Sequence, residues 1–152
     1  MRRLITILML AVASVGQIGS AKTPSTKADS RLVPLTITTA TRTHQFKVEM
    51  ARTETEQARG LMFRTHLAPD RGMIFPMVPA RSASFWMKNT LIPLDMIFIR
   101  FDGTIARIAA RTTPQSLAPV SSGEPVAAVL EIAGGRAAQL GISVDDRVTW
   151  PR

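Results

Sequence analysis

Beyond its first 21 residues, this chain carries its apolar residues in short runs, each closed by glycine, proline or another turn residue. Leu32 to Thr41 and Gln45 to Ala51 are such runs. So are Met73 to Phe75, Ser84 to Met87, Asp95 to Phe101, Thr104 to Ala110, Ala127 to Ile132 and Val148 to Trp150. Runs of this length, rich in Val, Ile, Phe and Thr, favour strands over helices. Asp102-Gly103 predicts a tight hairpin, and Pro69-Asp70-Arg71-Gly72 predicts a turn. Thr112 to Pro125, with three prolines, reads as a looser connection. Two segments change period. Thr53 with Glu56 three residues on forms a capping box and predicts a helix from Thr53 to Arg59, which Gly60 stops in a left-handed conformation. Gly134-Gly135 leads into a second short helix, Arg136 to Leu140, stopped by Gly141. The expected fold class is mainly β (α+β): a single compact antiparallel sheet or barrel with one or two short helices.

With 152 residues, the chain can build one core and no second. Its N-terminus has the three parts of a secretory signal: Arg2 and Arg3, an apolar stretch from Leu4 to Val15, then the small residues Gly19-Ser20-Ala21. Gln17 comes too soon for the roughly 20 apolar residues of a membrane span. The expected organisation is a signal peptide over residues 1–21, a flexible tether over 22–31 and one β-rich domain over 32–152, periplasmic or secreted after cleavage near Ala21. Cleavage removes Arg2 and Arg3 and no acid, which takes the formal charge from +8 to +6. The remaining bases are scattered singly, without the stripe that nucleic-acid binding needs. The chain has no cysteine, which excludes disulfides, thiolate metal sites and cysteine nucleophiles. His44 and His66 are the only histidines, too few for a three-histidine zinc site. No motif points to a cofactor.

Five phrases occur in order: Gly60-Leu61-Met62-Phe63-Arg64, Gly72-Met73-Ile74-Phe75, Phe85-Trp86-Met87-Lys88-Asn89-Thr90, Ile92-Pro93-Leu94-Asp95 and Glu131-Ile132-Ala133-Gly134-Gly135. Together they resemble the DUF192 (UPF0127) family of small domains, over about Phe46 to Trp150. The resemblance implies a compact β-rich single domain and no particular activity. Near the end, the family's usual Gly-Asp stands here as Asp145-Asp146.

Function is therefore argued from the residues. Asp95 lies within the apolar stretch Leu91 to Ile99, and Glu131 within Val126 to Ala133. A carboxylate buried in such a run must find a cation or several donors, and Arg64, Lys88, Asn89 and Thr90 are the nearby partners by sequence or motif. One reading is a buried polar cluster that fixes strand register. The other is a pocket for a small molecule or an envelope partner, with Arg64, Trp86, Lys88, Asn89, Thr90, Asp95 and Glu131 on its wall. If Phe85 to Thr90 is a strand, Phe85, Met87 and Asn89 face one way and Trp86, Lys88 and Thr90 the other.

Two further readings remain open. Asp95 and Glu131 would serve an envelope hydrolase if they stood about 5–9.5 Å apart as an acid/base pair. Six methionines (Met50, Met62, Met73, Met77, Met87 and Met96), with His44 or His66, offer soft ligands suited to Cu(I), though such residues more often fill core gaps. A binding module is the favoured reading. The N-terminal pattern makes a direct prediction. Intact-mass analysis of the exported fraction should find a mature chain beginning at Lys22, and a full-length, membrane-retained chain would contradict it.

Overall fold

The computed structural model describes residues 32–151; the predicted signal peptide, 1–21, and the predicted tether, 22–31, lie outside them. Seven strands and two short helices follow one another: β1 (Leu32–Thr38), β2 (Thr43–Met50), α1 (Glu54–Arg59), β3 (Arg71–Phe85), β4 (Leu94–Ile99), β5 (Ile105–Thr112), β6 (Val120–Ala133), α2 (Arg136–Leu140) and β7 (Arg147–Thr149). The strands form one curled sheet in the order β5-β4-β6-β3-β2-β1-β7, a half-barrel. Its edges touch at one end. Ile105 N–H donates to Asp146 O, Asp145 N–H to Ile105 O and Val148 N–H to Gly103 O, at 2.8–2.9 Å.

Pairing is antiparallel except between β2 and β3, where Lys47–Met50 run parallel to Arg71–Ile74. The reason is the connection. A parallel pair needs a crossover, and α1 with the segment to Asp70 supplies it. The capping box forms as the sequence predicts: Thr53 Oγ1 accepts from Glu56 N–H, and Glu56 Oε2 accepts from Thr53 N–H. Gly60 ends the helix at φ 48°, ψ −135°. That is not the left-handed helical conformation expected of it, but the positive φ is still one that suits glycine.

Met73–Phe75 and the first two residues of the expected Ser84–Met87 strand belong to one long strand, and Trp86 and Met87 lie beyond its end. β3 runs through Pro76 to Phe85 because β6 is nearly as long and pairs along it, with register shifts between Pro76 and Arg81 and between Ser82 and Ser84. β3 has no pairing with β2 beyond Ile74 and β6 has none with β4 before Ala128, so from Arg81 and Val126 outward β3 and β6 continue as a two-stranded arm. Strand alternation stops at Phe85. Asn89 takes a left-handed φ of 55°, and Met87 and Thr90 are buried while Trp86 and Lys88 stay exposed.

The sheet is buried on both sides at its centre. Leu35, Phe46, Ile74, Ile97, Leu130 and Val148 belong to a cluster that draws on every strand and fills the curl. Met73, Phe75, Met96, Phe98 and Val129 belong to a second cluster on the outer face, covered by Leu61, Met87 and their loops. All six residues of β4 are buried, which explains its unbroken apolar run. Close strand approach sets Gly72: a Cβ there would stand 2.4 Å from the carbonyl oxygen of Glu131.

Asp95 is fully buried on β4. Its Oδ1 accepts from Arg111 N–H (2.8 Å) and Gly135 N–H (2.7 Å), and its Oδ2 accepts from Ala137 N–H (2.8 Å). None of the expected partners Arg64, Lys88, Asn89 or Thr90 reaches it. Three backbone donors satisfy the carboxylate instead, as such a buried charge requires. One comes from the end of β5 and two from the start of α2. That helix has no side-chain cap of its own, since Gly135 stands at the N-cap. Asp95 caps it from a strand some 40 residues earlier.

Replacing Asp95 by Ala strands two buried N–H groups and the partly buried N–H of Arg111 and should destabilise the fold by about 3–5 kcal/mol. Asn keeps an acceptor but turns an NH2 group toward one N–H donor, so its loss should be smaller yet still above about 1 kcal/mol. Urea denaturation of both variants checks the order. A midpoint unchanged in Asp95→Ala would refute the structural role.

Candidate functional site

Against the outer face of the sheet lies a cavity of about 310 Å³ between the end of α1 and the β3–β6 arm. Glu131, on β6, lines it. Register places Glu131 between Met73 of β3 and Met96 of β4. Its residue is 5% exposed, and its carboxyl makes no hydrogen bond or ion pair among the described residues. Burial alone, with no charge to offset it, pushes its pKa up to about 8. At neutral pH the empty cavity therefore holds a protonated carboxyl, a hydrogen-bond donor and acceptor in one group.

The wall is aromatic. Phe75 and Phe85 pack edge to face with centroids 5.1 Å apart, and Trp86 stands half exposed beside them. Their arrangement depends on α1. Gln57 Nε2 donates to Ala51 O and Pro76 O, each at 3.3 Å, and pins the helix to β3. Gly60 turns the chain beside the Phe75 ring at a φ of 48°, a conformation that suits glycine. Phe63 N–H donates to Asn89 O (2.8 Å) and ties the loop after α1 to the loop after β3. Arg59 and Arg81 lie at the exposed end of the lining. Neither makes an ion pair among the described residues.

Of the residues singled out in the sequence, the structure brings Trp86, Thr90 and Glu131 to this cavity. Thr90 is buried, with Oγ1 donating to Lys88 O at 3.3 Å. Lys88 is exposed and holds its ammonium 5.2 Å from the Trp86 ring centre, on the outside. Asn89 serves through its backbone and a 3.8 Å contact from Nδ2 to Met62 Sδ. Arg64 lines a neighbouring hollow and is spent on Glu49, with paired contacts of 2.6 and 2.9 Å. Asp95 is absent from the lining. Asp95 pairs with Ile132 and Glu131 with Met96 across β4 and β6, so the two carboxyls project from opposite faces of the sheet. The acid/base pair needed by the hydrolase reading is not assembled.

The methionines are also placed differently from a surface copper site. Met73, Met77, Met87 and Met96 are buried among Leu and Phe in the outer cluster, filling an irregular core. Among the described residues, no group of three or more His, Cys, Asp or Glu is arranged to hold a metal ion. No described helix is long and apolar enough to cross a membrane. The sequence reading missed Gln57, Arg59, Arg81 and Phe75 as site residues. The coincidence of the Gly72-Met73 and Glu131 phrases was the one available hint, since β3 and β6 pair through them.

A family model for DUF192, described as "Uncharacterized ACR", matches residues 35–150. The chain belongs to the DUF192 family. Two solved structures agree. A protein of unknown function from Novosphingobium aromaticivorans DSM 12444 is 50% identical, with a TM-score of 0.77, covering 78% of this chain and 85% of its own. A candidate transcription regulator from Sinorhizobium meliloti 1021 is 43% identical, with a TM-score of 0.76, covering 78% of this chain and 93% of its own. No curated protein matches the chain. The family's usual glycine position near the end is filled here by Asp145 at φ 71°, and the turn forms all the same. Its side chain accepts from Arg100 at 3.0 Å.

The raised pKa of Glu131 fixes a stability profile. The unfolded chain loses this proton near pH 4.5, while the folded chain keeps it to about 8. Between those values the folded state binds more protons, so this group's contribution falls as pH rises. Compared with Glu131→Gln, the wild type should lose a few kcal/mol of relative stability from about pH 5 to about pH 8. Denaturant titrations of both proteins at the two pH values test this, and parallel profiles would show a solvated carboxyl.

Proposed function

We propose that this DUF192 domain is an exported binding module, taking a small molecule in the cavity beside α1. The observation that carries the reading is Glu131, a buried carboxyl without a partner that lines a hollow with aromatic walls. An unpaired buried acid lowers stability, and groups perturbed by burial in a cleft mark functional sites more often than chance. The hollow's mixture of apolar wall and few polar groups is that of ligand pockets. At about 310 Å³, it suits a compact molecule or the end of a longer one.

Export follows from the signal-like pattern of residues 1–21 and puts the ligand in the envelope or the medium. Catalysis is the weaker reading, because the other carboxyl on its face, Glu49, stands two strands away across Met73, is paired with Arg64 and lines the neighbouring hollow instead. The regulator designation of the Sinorhizobium relative is also a weaker guide for this chain. The chain's bases are scattered singly along the sequence, without the stripe that a nucleic-acid backbone calls for.

Thermal unfolding in a panel of envelope metabolites and cell-wall fragments provides the test. A ligand at about 100 times its Kd adds roughly 2.7 kcal/mol, enough to raise Tm by several degrees. Trp86→Ala, which removes an exposed wall, should abolish the shift with little change in the unliganded Tm. If no ligand gives a shift that depends on Trp86, the reading fails.

A further inference from the structure

From the placement of Glu131, Trp86, Arg59 and Arg81 around one cavity, we infer that the ligand is a zwitterion: an organic ammonium directed at Glu131, on an apolar body, with an anionic group at the arginine-lined mouth. The inference rests on the binding reading above and specifies its chemistry.

Three features lead to the ammonium. Glu131 is 5% exposed, lines the cavity and has no partner within the described residues. An entering ammonium supplies the charge-assisted contact that a buried carboxylate needs. The surrounding surfaces also tolerate a cation. Aromatic faces attract ammonium groups, and Phe75, Phe85 and Trp86 form the wall, with Met62 and Met77 beside them. Trp86 already accepts one such contact, from the Lys88 ammonium 5.2 Å from its ring centre. An ammonium inside would meet the same kind of surface.

The mouth argues against a simple cation. The charged groups lining the cavity besides Glu131 are Arg59, from α1, and Arg81, from β3. Both are exposed and without an ion pair among the described residues. Two guanidinium groups repel a bare ammonium and favour a carboxylate or phosphate on the same molecule. Amino acids and peptide-like compounds with a separated amine and acid belong to this class.

Binding then moves a proton. The empty cavity holds Glu131 protonated, with its pKa at about 8. The ligand's ammonium keeps its own proton, and Glu131 gives up its proton to bulk buffer as the carboxylate forms. Near pH 7 this releases close to one proton per ligand, and affinity rises by up to about tenfold per pH unit until about pH 8.

Calorimetry with three probes in buffers of different ionisation enthalpy tests the inference: 6-aminohexanoate, hexylamine and hexanoate. The expected order of affinity is 6-aminohexanoate, then hexylamine, then hexanoate, with proton release for the two amines only. Glu131→Gln should keep the fold, lose the proton release and weaken both amines at least about tenfold. Arg81→Ala should weaken 6-aminohexanoate and leave hexylamine unchanged or tighter. Equal or better binding of hexanoate, or amine binding with no proton release, would overturn the ammonium inference. Failure of both amines to bind at millimolar concentration would overturn it too. The binding reading stands or falls separately: a Trp86-dependent shift from a ligand without an amine keeps it and discards the zwitterion, whereas no such shift from any ligand removes both.

Discussion

The carboxylate of Asp95 is the point on which three separate segments converge. It lies in a strand buried on both faces, where an unpaired charge would cost several kcal/mol. Its three acceptor contacts reach the end of β5, the Gly134-Gly135 turn and the first turn of α2. The glycines follow from this arrangement. A Cβ on Gly134 would lie 2.8 Å from Pro93, and one on Gly135 would lie 2.8 Å from the Arg111 guanidinium. Gly135 also takes a φ of 86°, which L side chains adopt only under strain. The turn can thus bring its N–H groups onto Asp95 only without side chains of its own. The Ile-Pro-Leu-Asp and Glu-Ile-Ala-Gly-Gly phrases are two halves of one hydrogen-bonded junction.

That junction fixes the register of β4 against β6, and register decides which face each residue sees. Because Asp95 is opposite Ile132 and Met96 is opposite Glu131, fixing Asp95 toward the inner cluster turns Glu131 toward the outer one. A slip of one residue would exchange them. The outer face is where α1 and the two loops after α1 and β3 enclose the cavity. The position of the candidate site is therefore set by a contact on the other side of the sheet.

Much of this was legible in the sequence, for local reasons. The capping box of Thr53 and Glu56 involves residues three apart, and it forms. The Asp102-Gly103 turn is also local, with Gly103 at φ 88° and Asp102 accepting from Thr104 N–H at 2.9 Å. Short apolar runs reported strands because burial leaves its pattern in composition. The partners of the two carboxylates were not legible. Backbone N–H groups carry no residue-type signal, so the donors to Asp95 could not be read, and side chains such as Arg64 and Lys88 looked like the natural candidates. The parallel β2–β3 pairing and the length of β3 depend on which strands meet, and a proline-bearing stretch such as Pro76 to Ala80 gives no sign that a bulged strand continues through it. The cavity wall suffered likewise: Phe75 and Phe85 are ten residues apart on β3, too far to touch along a straight strand, and meet where the strand is broken by register shifts between Pro76 and Ser84.

The two buried carboxyls also differ in what they do for the fold. Asp95 is satisfied by three donors, and the structure gains a junction from its charge. Glu131 is also buried but has no donor, and burial favours its protonated form. A leucine or methionine would pack beside Met73 and Met96 without that desolvation cost, so packing supplies no reason for an acid at this place. Residues that break the rule of satisfied buried polar groups cluster where a protein meets its ligand; His44 Nε2 and Arg71 Nη1 are also buried without a partner, but neither residue lines the cavity beside Glu131. Here the exception borders a cavity whose other walls are aromatic and whose mouth carries unpaired arginines. On the binding reading proposed above, a ligand of complementary charge would offset the desolvation cost carried at Glu131.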